Sequence, residues 1–223
     1  MFHESQLILY AIAYLIGSIP FGLILAKASG MGDIRKVGSG NIGATNVLRA
    51  GGKKTALLTL LLDGGKGYLA IYIASNHVLD AVYKDAYVAA LGLEIIMFAG
   101  LCAILGHCFP LWLKFKGGKG VATVFGVLFG LSLKLGALCA VSWLIIFFVS
   151  RYSSLAALTA MILMPLQAHM YGITEKVEQL AILAIISLLI IIRHRSNIRN
   201  LLAGKEHQFG KSKQESSDDA PST

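Results

Sequence analysis

The sequence predicts an all-α, polytopic integral membrane protein of about seven transmembrane helices with Gly-rich cytoplasmic loops. Three observations lead there. Of 223 residues, 56% are hydrophobic and 14% charged, with mean hydropathy +0.68, too few polar residues to cover a soluble domain of this size. Apolar runs recur along the chain, several near the roughly 20 residues a spanning helix needs. Lys and Arg collect in alternate connections, as cytoplasmic loops do. The chain reads as one membrane-embedded domain, 1–206, with a polar tail, 207–223, whose composition past Gly210 predicts disorder.

In order, the spans fall near 5–27, 54–76, 86–108, 119–132, 135–150, 154–171 and 176–193. The first ends at Ala26-Lys27-Ala28, like a signal-peptide cleavage site. Yet its leading residues carry His3 and Glu4 and no Lys or Arg, so the segment is read as a mature helix. The run 119–132 is short, and Leu131-Ser132-Leu133-Lys134 supplies a turn. Charge decides how to count it. Lys27, Arg35, Lys36, Arg49, Lys53 and Lys54 lie in one connection, and Lys114, Lys116 and Lys119 in another. Arg151 sits alone between two runs, and Arg193, Arg195, Arg199, Lys205, Lys211 and Lys213 follow the last. These are sixteen of the 20 basic residues. The other connections hold Lys84, Lys134 and Lys176, and Lys66 falls inside a span. With seven crossings all sixteen face one side; with six, 109–119 joins them only if the short piece re-enters. The reading is seven, with the N-terminus outside and the C-terminus cytoplasmic.

Three unusual segments then share the cytoplasmic face. In GSGNIGATNVLRAGGKK, Gly38 to Lys54, glycines such as Gly38 and Gly40 permit close backbone approach to a ligand. Ser39, Asn41, Thr45 and Asn46 supply neutral hydrogen-bond groups and Arg49 a bidentate fork for phosphate. An ordinary Gly-rich turn explains the glycines but not so many polar groups together. In GHCFPLWLKFKGGKGVAT, Gly106 to Thr123, Gly117, Gly118 and Gly120 can form an anion-binding nest. A helix starting near Val121 would add its positive end, and Lys119 a full charge. The pattern fails GxxxxGK[ST], because Gly120 follows Lys119, so a nucleotide loop is not indicated. Lys114 and Lys116 read as positive-inside anchors, and Phe109, Pro110 and Trp112 as interfacial belt and turn. In RHRSNIRN, Arg193 to Asn200, His194 and Asn197 share a helix face and can donate to a bound hydroxyl or phosphate. Glu206 can fix a neighbouring base. Lipid-headgroup anchoring explains the arginines but not His194 and Asn197.

Inside the apolar runs, Asp63 and Lys66 stand one turn apart, either as a structural pair or lining a site. Glu94 is a lone intramembrane acid with no obvious partner. Cys102, Cys108 and Cys139 lie in or beside apolar runs with no CxxC or Cys/His spacing, so neither a disulfide framework nor a metal centre is expected.

These motifs, in order from about residue 14 to 206, resemble a known family. GSIPFG, GSGNIGATN, the Asp63/Lys66/Gly67 pattern, GHxFPxxLxFKGGKGVAT and RHxxNI are similar to those of the bacterial acyl-phosphate:glycerol-3-phosphate acyltransferases of the PlsY type. The resemblance implies a seven-helix inner-membrane enzyme with a cytoplasmic site and no cofactor. It would acylate the 1-position of sn-glycerol 3-phosphate, giving lysophosphatidic acid and phosphate. It also implies that Ser39, Arg49, Lys119, His194 and Asn197 line the substrate site, with the GSGN and GGKG backbones holding phosphate. The chain departs from the family pattern at Asn200, where an Arg is common, and at Cys108, where an aliphatic residue is common. Substrates and membrane lipids are the expected partners, with the monomer as the working unit and no nucleic acid. A phosphate or organophosphate transporter is the alternative, but it needs anion-binding groups near midplane, whereas these crowd one face. A membrane anchor for acidic lipids or nucleic acid fits the net charge of +8 but not the Gly-Ser-Asn loops.

The donor follows partly from what is missing. No His is followed five residues on by Asp, so HxxxxD is absent, as is GxSxG. An acyl phosphate carries its own good leaving group and asks less of the protein than acyl-CoA.

Overall fold

Proline breaks the first apolar run. In the computed structural model, which describes residues 2–82, 86–174 and 176–210, the first run is helix α1 (Phe2–Gly17) and helix α2 (Phe21–Ala28). They are parted at Pro20, which has no N–H to continue the ladder. The carbonyls exposed at the break are met from elsewhere: Trp112 Nε1 donates to Ser18 O (2.8 Å) and Lys66 Nζ to Ile19 O (2.8 Å). In lipid, a broken helix survives only when neighbours satisfy it in this way. The short α3 (Ala44–Arg49) follows, then α4 (Lys53–Val82), α5 (Ala86–Cys108), α6 (Val121–Leu131), α7 (Leu133–Ser150), α8 (Ser153–Met170), α9 (Val177–Arg193) and α10 (Arg195–Leu202). The fold is all-α, as predicted.

Among the described residues, five segments are long and apolar enough to cross a membrane: Glu4–Ala28, Lys53–Ala81, Ala90–Leu113, Leu133–Ser150 and Ser153–Met170. The bent pair α9 and α10 (61°) is long and apolar enough only when taken together; its apolar part is α9, which ends at Arg193, and α10 is polar. The seventh expected span, 119–132, is the 11-residue α6. At about 1.5 Å per residue it reaches roughly half the hydrocarbon thickness, so seven full-length spans are not what forms. The loop before α6 takes up the missing length by dipping into the bundle. A Cβ on Gly120 would touch Ile190, Cys108 and Ile104, all side chains of spanning helices.

Helices α1 and α5, and α4 and α6, approach backbone to backbone because glycines face the contact. A Cβ on Gly106 would collide with Tyr14 O, one on Gly67 with Thr123 O, and one on Gly126 with Gly64 O. Small residues of this kind drive helix packing where there is no hydrophobic effect to gain. The core lies among α5, α6, α8 and α9, around Ile104, Leu128, Met161, Leu183 and Ile186. Large apolar side chains such as Leu57, Phe148, Val149 and Leu188 point outward.

The basic connections gather at one end. Arg193 reaches the loop before α6, Lys119 reaches Asn197, and Phe209 N–H donates to Arg151 O (2.9 Å). At the opposite end Lys134 reaches Tyr171 O (3.4 Å). Glu94 is there too and has partners that the sequence does not suggest: Lys176 at 3.1 Å and Gln179 Nε2 at 3.0 Å, together pinning α5 to α9. Residues 207–210, assigned above to the tail, are docked on the fold, because Gln208 Nε2 donates to Ser150 O (3.1 Å) alongside the Phe209 bond. The expected disorder of 211–223 and the position of Lys84 fall outside the described residues.

Candidate functional site

The three segments meet around one cavity of about 590 Å³ at the basic end. The first contributes Ser39, Asn41 and Thr45, and α3 contributes Arg49. Ser39 is set in place by Asn46, whose Oδ1 accepts from the Ser39 N–H (2.8 Å) and hydroxyl (3.2 Å). The same amide donates to Ile34 O (2.8 Å) and Val37 O (3.0 Å). Asn46, expected at the substrate, is thus the buried peg of this loop and does not line the cavity. Gly38 and Gly40 are also absent from the lining. Both have positive φ (59° and 69°); a Cβ on Gly38 would meet Asn46 Oδ1, and the Gly40 N–H donates to Val37 O (3.1 Å). They shape the turn that presents Ser39.

In the second segment, Gly117 and Gly118 differ from expectation as well. Their N–H groups donate to Cys108 O (3.2 Å) and His107 O (3.0 Å), so neither is left for an anion. Both are glycine because the loop lies flat on the end of α5: a Cβ on Gly118 would collide with the His107 ring, and one on Gly117 with the His107 carbonyl. Arg193 holds the loop from the other side, through Gly117 O (2.9 Å) and Gly118 O (3.1 Å). An anion is left with Gly120 and the first turn of α6, which begins at Val121 as the sequence indicates. Gly120 offers no side-chain cap, so the first N–H groups of the helix have no intrahelical acceptor. Lys119 lies beside them.

The third segment contributes His194, Asn197 and Glu206. Lys119 Nζ donates to Asn197 Oδ1. Asn197 Nδ2 donates to Glu206 Oε1 (2.8 Å), and Ser154 Oγ donates to the same oxygen (2.9 Å). The Arg49 guanidinium lies 3.9 Å from that oxygen, too far for a hydrogen bond. Burial lowers the Lys119 pKa to about 8 against the pull of Glu206, with Arg49 and Arg193 pushing the same way as burial. Burial also lowers Arg49 from its ordinary value. His194, just beyond the last span, is pushed by burial to about 4, so its imidazole is neutral near pH 7. Its Nδ1 lies 2.8 Å from Ile190 O. A carbonyl only accepts, so Nδ1 carries the proton and Nε2 is the acceptor. Arg199 and Asn200, where the chain departs from the family pattern, are exposed on α10 and do not line the cavity.

Asp63 and His107 also line it. Asp63 is both things the sequence allowed: paired with Lys66 at 2.8 Å and facing the cavity, with His107 Nδ1 3.6 Å away. His107, Arg193 and Ser154 carry structural duties that the sequence reading did not assign. Ionisable residues at corresponding depth in α4 and α5 were the available signal for His107; nothing marked Ser154. Among the described residues, no group of three His, Cys, Asp or Glu gathers as a metal-ligand set.

The cavity continues as an apolar groove. Helix α6 is its floor, packed against both α4 and α7. Leu61 and Tyr68 of α4 face Trp143 and Leu144 of α7 across Phe125 and Phe129. Leu61 and Tyr68 are 60% and 51% exposed, so the groove opens sideways, toward lipid.

Fold and site together define a multi-pass membrane protein in which half-buried cations and a helix N-terminus adjoin an apolar groove. Residues 7–204 match the family model for glycerol-3-phosphate acyltransferase, and the chain belongs to that family. It is 50% identical over 198 residues to the glycerol-3-phosphate acyltransferase of Mesorhizobium japonicum, covering 88% of this chain and 92% of that one. It is 46% identical over 210 residues to that of Bartonella henselae, covering 94% of each. The fold is similar to the crystal structure of PlsY (YgiH), an integral membrane glycerol 3-phosphate acyltransferase, in its glycerol 3-phosphate form. There the TM-score is 0.80 at 44% identity, over 92% of this chain and 96% of that one. The lysophosphatidic acid form gives 0.78 at 43%, over the same shares.

Proposed function

We propose that this protein transfers an acyl group from acyl phosphate to the 1-hydroxyl of sn-glycerol 3-phosphate, releasing lysophosphatidic acid and inorganic phosphate. The observation that carries this reading is the union of Arg49, Lys119 and the start of α6 with a groove open to lipid. A soluble phosphorylated acceptor suits the first and a fatty acyl chain the second. In the reaction, the acceptor oxygen attacks the acyl carbon and the bond from that carbon to the phosphate oxygen breaks. The hydroxyl proton needs an acceptor. A His194 with a pKa of about 4 is a weak base, whereas a phosphate with second pKa about 6 is a better one. The leaving phosphate therefore takes the proton of the attacking hydroxyl, and His194 Nε2, which can only accept, orients the acceptor through its other hydroxyl. Ser39, Arg49, Lys119 and Asn197 hold phosphate and meet developing charge, so catalysis rests on positioning and electrostatics. Asn41, Thr45 and Gly120 complete the binding surface.

The crowding of anion-binding groups at one end weighs against a transporter, which needs them at midplane. The basic loops support a cytoplasmic location for that end, in a bacterial inner membrane with the N-terminus outside. The cavity is lined by residues of one chain, which supports the monomer as the working unit. The test is purified protein with palmitoyl phosphate and labelled glycerol 3-phosphate. Lysophosphatidic acid should form with acyl phosphate and little or none with acyl-CoA; comparable turnover with acyl-CoA overturns the donor.

A further inference from the structure

The chain beyond residue 204, where the family match ends, folds back over the site. Glu206 enters the cavity, and Gln208 and Phe209 bond Ser150 O and Arg151 O across the α7–α8 turn. This pins the Phe209 ring, which Phe147 (5.6 Å, 68°) and His207 (5.2 Å, 69°) hold edge-on. The ring centroid lies 5.9 Å from Arg49 Cζ, within the range of cation–π attraction. The Arg49 side chain is 14% exposed, its Nε is buried without a hydrogen-bond partner, and its nearest carboxylate oxygen stands off at 3.9 Å. A phosphate-binding guanidinium must be fixed yet keep its donors free. A bidentate carboxylate would fix it but occupy the fork, whereas an aromatic face fixes it and takes no donor.

We propose that Phe209 is a positioning residue, its ring orienting the Arg49 guanidinium to grip phosphate. The inference rests on the phosphate reading of the cavity. The full-length protein in detergent is measured two ways: steady-state acyl transfer, and equilibrium binding of labelled inorganic phosphate, which needs no turnover. Phe209→Leu should raise both KM for glycerol 3-phosphate and Kd for phosphate about three- to ten-fold, with kcat within about two-fold. Phe209→Tyr, which keeps the ring, should restore both. Lys205→Gln, an exposed position on the same segment, should leave both near wild type. In an Arg49→Lys background, Phe209→Leu should add little, because the planar fork it orients is gone. Additive effects, no rescue by Tyr, or an equal loss with Lys205→Gln would overturn the role of the ring. If turnover is absent but Phe209→Leu still weakens phosphate binding, the acyl-transfer reading falls and this inference stands. If the wild type neither turns over nor binds phosphate, both fall.

Discussion

Two cations in the cavity differ from their neighbours on the same loops in what surrounds them. Lys114 is exposed, while Lys119 and Arg49 are half-buried at the cavity. A charge-assisted hydrogen bond to phosphate is worth about 1.5–3 kcal/mol. Arg49→Ala and Lys119→Ala should therefore each lower kcat/KM about ten- to a hundred-fold, and Lys114→Ala should change it little; equal losses at Lys114 and Lys119 would refute this division of the loop. The depressed Lys119 pKa also predicts a pH dependence. The ammonium is present below about 8 and lost above it, so kcat/KM should fall as pH rises from about 7 to about 9. Lys119→Arg, which stays charged, should flatten that limb if it remains active. At this scale the sequence was legible where an unusual side chain stood in an unusual place: Ser39, Arg49, Lys119, His194 and Asn197 all reach the cavity. It misled at Asn46, Gly117 and Gly118. A polar group or an N–H in a Gly-rich loop looks the same in sequence whether it faces a ligand or ties the loop to itself.

Among the elements, α6 sets the shape of the site. The glycines before Val121 let the loop sink into the bundle, and Gly126 within the helix lets α6 lie hard against α4. A side chain at Gly126 would strike the Gly64 carbonyl, whereas one at Gly65, a turn's fraction away, meets nothing within 4 Å. Gly126→Ala should accordingly destabilise the protein by about 1–3 kcal/mol, as overpacking does. Gly65→Ala should leave the unfolding temperature unchanged or raise it slightly. A thermal-shift series in one detergent decides; equal behaviour of the two variants would contradict the close α4–α6 approach. The start of α6 at Val121 was marked in the sequence by the glycines before it, whereas the span read over 5–27 runs through the break at Pro20. The shortness of α6 was legible too, from the brief run 119–132 and the turn at Leu131-Ser132-Leu133-Lys134; what hydropathy cannot see is that the polar loop beside it enters the bundle.

For the whole molecule, charge asymmetry in the loops gave the correct grouping of Arg49, Lys119, Arg151 and Arg193 at one end and Lys134 and Lys176 at the other. That grouping predicts sidedness. In a cysteine-free active background, a single Cys at Lys114 should be labelled by an impermeant maleimide only from the cytoplasmic side, and one at Lys176 only from the outside. Labelling of both from the same side would contradict the arrangement. The sideways opening of the groove has a further consequence for how such an enzyme is measured. Under the proposed acyl transfer, a lipid donor would arrive by diffusing in the plane of the bilayer, so the quantity setting the rate would be a mole fraction in the film and not a molarity. Diluting the film with inert detergent at constant bulk donor should slow turnover in proportion, while diluting the whole sample with buffer should affect only the water-soluble acceptor.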